Sequence, residues 1–245
     1  MPGDDAFYDY PDVQASYFAH RARPDNANNT LERPIFWELV GNLNNLDIID
    51  LGCGDASFGQ EAFLKGARSY TGIEISEAMV NRARQMLAGT PGKVQYGSIE
   101  TWQPLNEQAD LVSSRLALNY VENLKSVFQA VHQALRPGGR FVFSVEHPVI
   151  TSNFANLAEP RRTAWLVDNY FQPGARVHTW LGREVTKYHY TLEEYFDLVI
   201  NTGFALERIR ESCPQQKDFV TEEEYERRLR IPLFLFIAAR KSNIR

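Results

Sequence analysis

Asp50, Gly52, Gly54 and Glu74 have the types and spacing that suggest ligand chemistry in this chain. Leu46-Asp47-Ile48-Ile49-Asp50-Leu51 is a short β-branched run that ends in an acid and breaks into Gly52-Cys53-Gly54-Asp55-Ala56-Ser57-Phe58-Gly59, a glycine-bearing turn that enters a helical pattern. A strand that delivers a loop in this way presents it to a ligand at the carboxyl edge of a parallel sheet. Glycine at 52 and 54 lets backbone approach that ligand where a Cβ would collide. A dinucleotide site would read Gly-x-Gly-x-x-Gly, but the sixth position here is Ser57, which weakens a pyrophosphate reading. Asp50 suits a cationic or amino-bearing group. Glu74 follows Gly54 by twenty positions, room for one helix and a return strand, and an acid ending that strand can take both hydroxyls of a ribose. Farther along, Phe141-Val142-Phe143-Ser144-Val145-Glu146 reads as a strand that brings His147 to the same edge, either to deprotonate or orient a substrate or only to bond its own loop.

The elements that must position these residues alternate. A helix is expected over 58–66 and a strand over 69–75. Ser76 is a suitable N-cap for a helix with Glu77 in its first turn and Met79, Ala83, Met86 and Leu87 as its apolar stripe. A third strand covers 94–100 with its exit, a fourth 110–114, and a helix 124–135 is stopped by Pro137-Gly138-Gly139. Then come a helix over 192–202, ended by Gly203, and strands over 205–209 and 233–240; an acidic helix over 221–230 reads as a solvated surface element. Two helix-like pieces, 13–21 and 31–43, precede the first strand.

Asp50-Leu51-Gly52-Cys53-Gly54, then Gly72-Ile73-Glu74-Ile75-Ser76 with Met79, then Ala109-Asp110-Leu111-Val112-Ser113-Ser114, then Leu135-Arg136-Pro137-Gly138-Gly139-Arg140-Phe141 follow one another in a familiar order and spacing. Over residues 46–147 the chain resembles the class I S-adenosylmethionine-dependent methyltransferases with a Rossmann-like core. One such motif is weak, whereas four in register are specific. Ala56 departs from the pattern, standing where many members carry a third glycine; the competing reading is a nicotinamide-dependent enzyme with a degenerate fingerprint. The resemblance implies an α/β fold: a seven-stranded, mostly parallel Rossmann-like sheet with helices on both faces and its last strand antiparallel. Residues 1–45 would form an N-terminal helical lid, 46–147 and 191–245 the core, and 148–190 a substrate cap inserted after strand five.

The resemblance also implies the ligands. S-adenosyl-L-methionine would be the cofactor and S-adenosyl-L-homocysteine the product, held by Asp50, Gly52, Cys53, Gly54, Glu74 and Ile75. Met79 would pack on the adenine face, unless it serves only the core. Ser98 and Ile99 stand where relatives often have an acid for the adenine amino group. Ser114 ends the fourth strand and, with Arg115 and Leu116 just after it, would lie beside the sulfonium, and Tyr17 and Arg21 would reach the cofactor from the lid, unless the aromatics only staple that helix to the core. Tyr8, Asn119, Tyr120 and His147 would meet the acceptor, His147 as the catalytic residue. Trp165, Tyr170, Trp180 and His189 belong to an aromatic segment with sparse polar groups, as a pocket for a flat, partly polar small molecule requires; the bland alternative is a β-ribbon whose aromatics pack together.

The expected activity is transfer of a methyl group to a nitrogen, oxygen or activated carbon of a small aromatic or heterocyclic metabolite, in secondary metabolism. The alternative is a non-catalytic S-adenosylmethionine-binding regulatory or partner subunit. At 245 residues with 44% hydrophobic content the chain can bury a substantial core. Its formal net charge of −5 and lack of a long basic run argue against nucleic acid as partner, and pairs such as Arg161-Arg162 and Arg227-Arg228 read as solvated faces. The apolar run at 233–239 is too short to span a bilayer, the acidic start is unlike a secretory signal, and two distant cysteines make no disulfide framework. These features point to a cytoplasmic protein without a membrane partner. No metal-ligand spacing stands out, and the oligomeric state is not legible.

Overall fold

A 3-10 helix (Asp4–Asp9) leads into α1 (Pro11–Ala22), whose proline lacks only an N–H that a helix start leaves unpaired. A π-helical segment (Asn28–Glu32) runs into α2 (Arg33–Val40). The computed structural model describes residues 4–152 and 164–242, so Arg161 and Arg162 lie outside the described residues. Strand and helix then alternate through β1 (Asp47–Leu51), α3 (Ser57–Leu64), β2 (Ser69–Glu74), α4 (Glu77–Met86), β3 (Lys93–Tyr96), β4 (Ala109–Arg115), α5 (Leu124–Ala134) and β5 (Leu135–Glu146), followed by the short α6 (Pro148–Thr151). A separate antiparallel hairpin of β6 (Gly174–Trp180) and β7 (Arg183–His189) precedes α7 (Leu192–Asn201), β8 (Phe204–Glu211), α8 (Glu222–Leu229) and β9 (Phe234–Lys241).

The main sheet has seven strands in the order β3-β2-β1-β4-β5-β9-β8. β9 is antiparallel to both β5 and β8, and the other pairings are parallel, as expected from the sequence. Strand order reverses between β1 and β4, which opens a crevice beyond their carboxyl ends. Side chains alternate between two buried faces, as a sheet covered on both sides demands. Val112, Phe141, Phe143, Leu235 and Ile237 pack on one side with α5 and α7, whereas Leu111, Val142, Phe236 and Ala238 pack on the other with α2 and α3. On α5 the stripe Leu124, Val127, Phe128, Val131 and Ala134 is buried, with the Phe128 ring 5.2 Å from that of Phe141. Each large apolar side chain so covered contributes about 1.5–3 kcal/mol.

Pro137-Gly138-Gly139 does not stop α5. The helix ends at Ala134, Leu135 is already extended, and the Pro-Gly-Gly segment is the irregular first part of β5, where the register against β4 shifts between Ala109 and Leu111. At the amino edge of the sheet, Asp47 receives Arg68 at 2.5 Å and Arg136 at 2.9 Å, with Asp110 beside them. No helix among the described residues is long and apolar enough to cross a membrane.

Candidate functional site

The loop after β1 carries three left-handed residues, Gly52, Gly54 and Ala56, with φ of 72°, 56° and 57°. Ala56 therefore adopts the conformation that a third glycine would take without strain. The two glycines serve different purposes. A Cβ on Gly52 would sit 2.3 Å from the Ala117 Cβ, so what it would strike is the protein's own wall and not a ligand. A Cβ on Gly54 would meet nothing within 4 Å, because that residue faces open cavity.

Glu74 organises this loop. One oxygen accepts the N–H of Gly54 at 2.9 Å, and the other accepts those of Ile75 and Ser76, both at 2.9 Å. Burial raises the Glu74 carboxyl above its ordinary value, against the pull of these backbone donors. Ser76 caps α4 as expected, accepting from Met79 N, and Asp9 adds a second cap by accepting from the Ser76 hydroxyl at 2.6 Å and Ala78 N at 2.9 Å. The N-terminal 3-10 helix is thereby tied to the helix that follows β2. Asp50 is fully inside: the Tyr70 and Ser113 hydroxyls each donate to it at 2.7 Å, and burial raises its carboxyl.

These residues line a cavity of about 720 Å³ at the carboxyl edge of the sheet, within the range of small-molecule sites. Of the positions singled out from the sequence, Asp50, Gly52, Cys53, Gly54, Glu74, Ile75 and Met79 share its wall with Ser98, Ile99, Arg115 and Leu116. Tyr17 and Arg21 from α1 line it too, as does Trp165, and Tyr8, Tyr120 and Trp180 line the end nearer the hairpin. Burial pushes the Cys53 thiol well up, so it is a poor nucleophile there.

Five expected site residues have other work. His147 does not line the cavity: its Nδ1 accepts from Val149 N at 3.2 Å as the cap of α6, and its Nε2 lies 2.9 Å from Glu211. Burial lowers the imidazole, and Glu211 opposes that shift. Ser114 donates to the Leu51 carbonyl at 2.9 Å, joining β4 to β1. Asn119 spends its oxygen on Glu146 N at 2.8 Å. His189 is fully buried between the Thr151 hydroxyl, at 2.7 Å, and the Tyr170 carbonyl, at 2.8 Å. Tyr170 is used locally as well, its hydroxyl accepting from Leu192 N at 3.1 Å.

Strand alternation explains what took the place of His147. Ser144 of β5 donates to Glu32 at 2.9 Å, and Glu32 lines the cavity, so even-numbered positions of β5 face the site. The residue delivered there is Glu146, paired at 2.6 Å with Lys187 of β7. Glu32 also forms a buried, two-point pair with Arg115, which rests 4.9 Å over the Phe36 ring. Burial pulls the Arg115 guanidinium down, but the charge and hydrogen bonds of Glu32 outweigh it and hold it above its ordinary value. Glu146 was visible only as a strand residue, and the acid of the pi-helical segment gave no sequence signal.

α8 is not simply a solvated surface element. It turns Glu224, Arg227 and the half-buried Arg228 toward the cavity, near Asp25 of the α1–α2 connection. Arg23 and Asp25 pair at 2.8 Å on that side. The connection is held by Asn26, whose amide donates to the Arg21 carbonyl at 3.0 Å and whose oxygen accepts Asn29 N at 2.9 Å.

A family model described as a methyltransferase domain matches residues 42–195. The chain is similar to the crystal structure of an S-adenosylmethionine-dependent methyltransferase from Mesorhizobium loti, at 36% identity and a TM-score of 0.79, covering 85% of this chain and 97% of that one. An uncharacterized protein of Haemophilus influenzae is 28% identical across 96% of each chain. A ubiquinone biosynthesis O-methyltransferase of Bordetella avium is 30% identical over 125 residues, and the match spans about half of each protein, 50% of this chain and 52% of that relative.

Proposed function

This chain belongs to the class I S-adenosylmethionine-dependent methyltransferases, and we propose that within them it methylates a nitrogen, oxygen or activated carbon of a small aromatic or heterocyclic acceptor of secondary metabolism, in the cytoplasm. The observation that carries the proposal is one continuous cavity whose wall includes both the Glu74-organised glycine loop and the aromatic end formed by Tyr8, Tyr120 and Trp180. In this reading residues 1–45 are the lid, and the hairpin within 148–190 is the acceptor cap.

The residues present fit the cofactor. Gly54 opens onto the cavity, and the Glu74 carboxylate, with three of its roughly four acceptor sites taken by backbone donors, keeps one on Oε2 to receive a ribose hydroxyl. Met79 and Ile99 offer flat apolar contact to adenine, with Ser98 beside them. Tyr17, Arg21 and Arg115 face the methionine portion. When bound, S-adenosylmethionine supplies an electrophilic methyl group. The protein's share is alignment and exclusion of water, for which an in-line nucleophile held against the aromatic wall suffices. Calorimetry with S-adenosylhomocysteine, followed by transfer of radiolabelled methyl to a metabolite extract, tests the reading. Absence of binding would overturn it, and binding without transfer to any small molecule would favour a non-catalytic subunit.

A further inference from the structure

An ammonium is expensive to bury unless it is paired and hydrogen-bonded. The Lys187 side chain is only 8% exposed, yet it lines the cavity, with its Nζ 2.6 Å from Glu146 Oε1. The same Nζ lies 5.6 Å from the Tyr120 ring centroid and 5.5 Å from that of Trp180. Of the three donors an ammonium carries, Glu146 takes one, and ring faces repay the others only weakly. Glu146 is itself held from behind, since its N–H donates to Asn119 at 2.8 Å. A carboxylate and an ammonium thus stand side by side on an aromatic wall, both open to the space where a substrate would lie.

We infer that Glu146 and Lys187 act together on an acceptor whose nucleophile is an acidic hydroxyl, a phenol or an enol: Glu146 takes the proton and Lys187 holds the oxygen left behind. The inference rests on the methyl-transfer reading of the cavity. The acceptor O–H bond breaks, and its proton passes to the Glu146 carboxylate. The electron pair freed on oxygen forms the bond to the methyl carbon, while the carbon–sulfur bond breaks with its pair left on sulfur. An amine would enter as a second ammonium beside Lys187, a like-charge placement that the site disfavours. An ion pair serving only to fasten the hairpin to β5 would need neither the opening to the cavity nor the two ring faces.

The test uses 4-nitrophenol, whose ionised form is coloured, titrated against pH with the full-length protein saturated with S-adenosylhomocysteine. Bound to the wild type, the probe should be about tenfold more ionised than free probe at the same pH, the effect of one close opposite charge. Lys187→Met should abolish that enhancement while S-adenosylhomocysteine affinity, measured in parallel, is retained. Glu146→Gln should keep the probe ionised and transfer methyl to it at near the wild-type rate, but should slow transfer to unsubstituted phenol, which must lose its proton within the site. If the probe fails to bind, or binds with its free ionisation, the inference is overturned even though the cofactor result leaves the methyltransferase reading intact. The wild-type titration decides the matter alone should a variant not fold. Loss of thermal stability in Lys187→Met with unchanged probe ionisation would reduce the pair to a fastening of the hairpin and also overturn the inference.

Discussion

The Glu74 carboxylate accepts the Gly54 N–H at 2.9 Å, so the acid at the end of β2 is bonded to the loop at the end of β1 before any ligand arrives. The same side chain also receives the first backbone donors after β2. Glu74→Ala should therefore weaken S-adenosylhomocysteine binding by about 1.5–3 kcal/mol, the value of hydrogen bonds to a charged group, and lower the melting temperature as well. Titration calorimetry showing wild-type affinity would remove Glu74 from the cofactor site.

Gly52 and Gly54 should fail differently. Gly54→Val places its side chain in the cavity and should abolish S-adenosylhomocysteine binding, with a folding cost of about 1–2 kcal/mol for a left-handed residue. Gly52→Ala drives a Cβ to 2.3 Å from Ala117, and overpacking of that kind costs about 1–3 kcal/mol of stability in addition to the strain at its φ of 72°. Paired melts and binding isotherms separate the two. Normal binding by Gly54→Val would mean that this loop does not touch the ligand.

His147→Ala should cost about 1 kcal/mol of stability through loss of the α6 cap and leave the pH profile of turnover unchanged. Its side chain is turned to Val149 and Glu211, away from the cavity. If the variant lost the acidic limb of the rate profile, the base would be His147 after all.

The succession of strands and helices was legible because its signals are local, since β-branched runs, glycine turns and the Ser76 cap each depend on a few consecutive residues, whereas the arrangement of the sheet came with the family resemblance. The direction of His147 was not. Adjacent residues of a strand face opposite ways, and the register of β5, with Ser144 beside Arg115, decides that Glu146 points inward. The aromatic character of the hairpin could be read, but its useful cation could not, since Lys187 finds its carboxylate 41 residues back in the chain. Ser114, Asn119 and His189 look like ligand contacts by type and are claimed by nearby protein groups, a matter of tertiary packing alone.

Acid stability should depend on Asp47. Hydrogen bonds from Arg68, aided by Ser69 and Arg136, hold its carboxyl well below the usual carboxylate range, despite partial burial. A depressed folded-state pKa supplies stability that is present above the unfolded value, near 4, and lost as pH falls through and below it. Asp47→Asn should lower the melting temperature at neutral pH and flatten its decline between about pH 5 and pH 2. Equal slopes in wild type and variant would show that this amino-edge cluster does not govern acid unfolding.

Tyr8 and Asp9 are consecutive, yet Tyr8 walls the aromatic end of the cavity while Asp9 is hydrogen-bonded to the start of α4, beside Glu74. One dipeptide therefore contributes to both halves of the chamber. Any coupling carried by this link would have to be mutual: the factor by which the first ligand tightened the second would be the factor by which the second tightened the first. If methyl donor and acceptor occupy the two halves as proposed, this one peptide unit is where the binding of each would be expected to depend on the other.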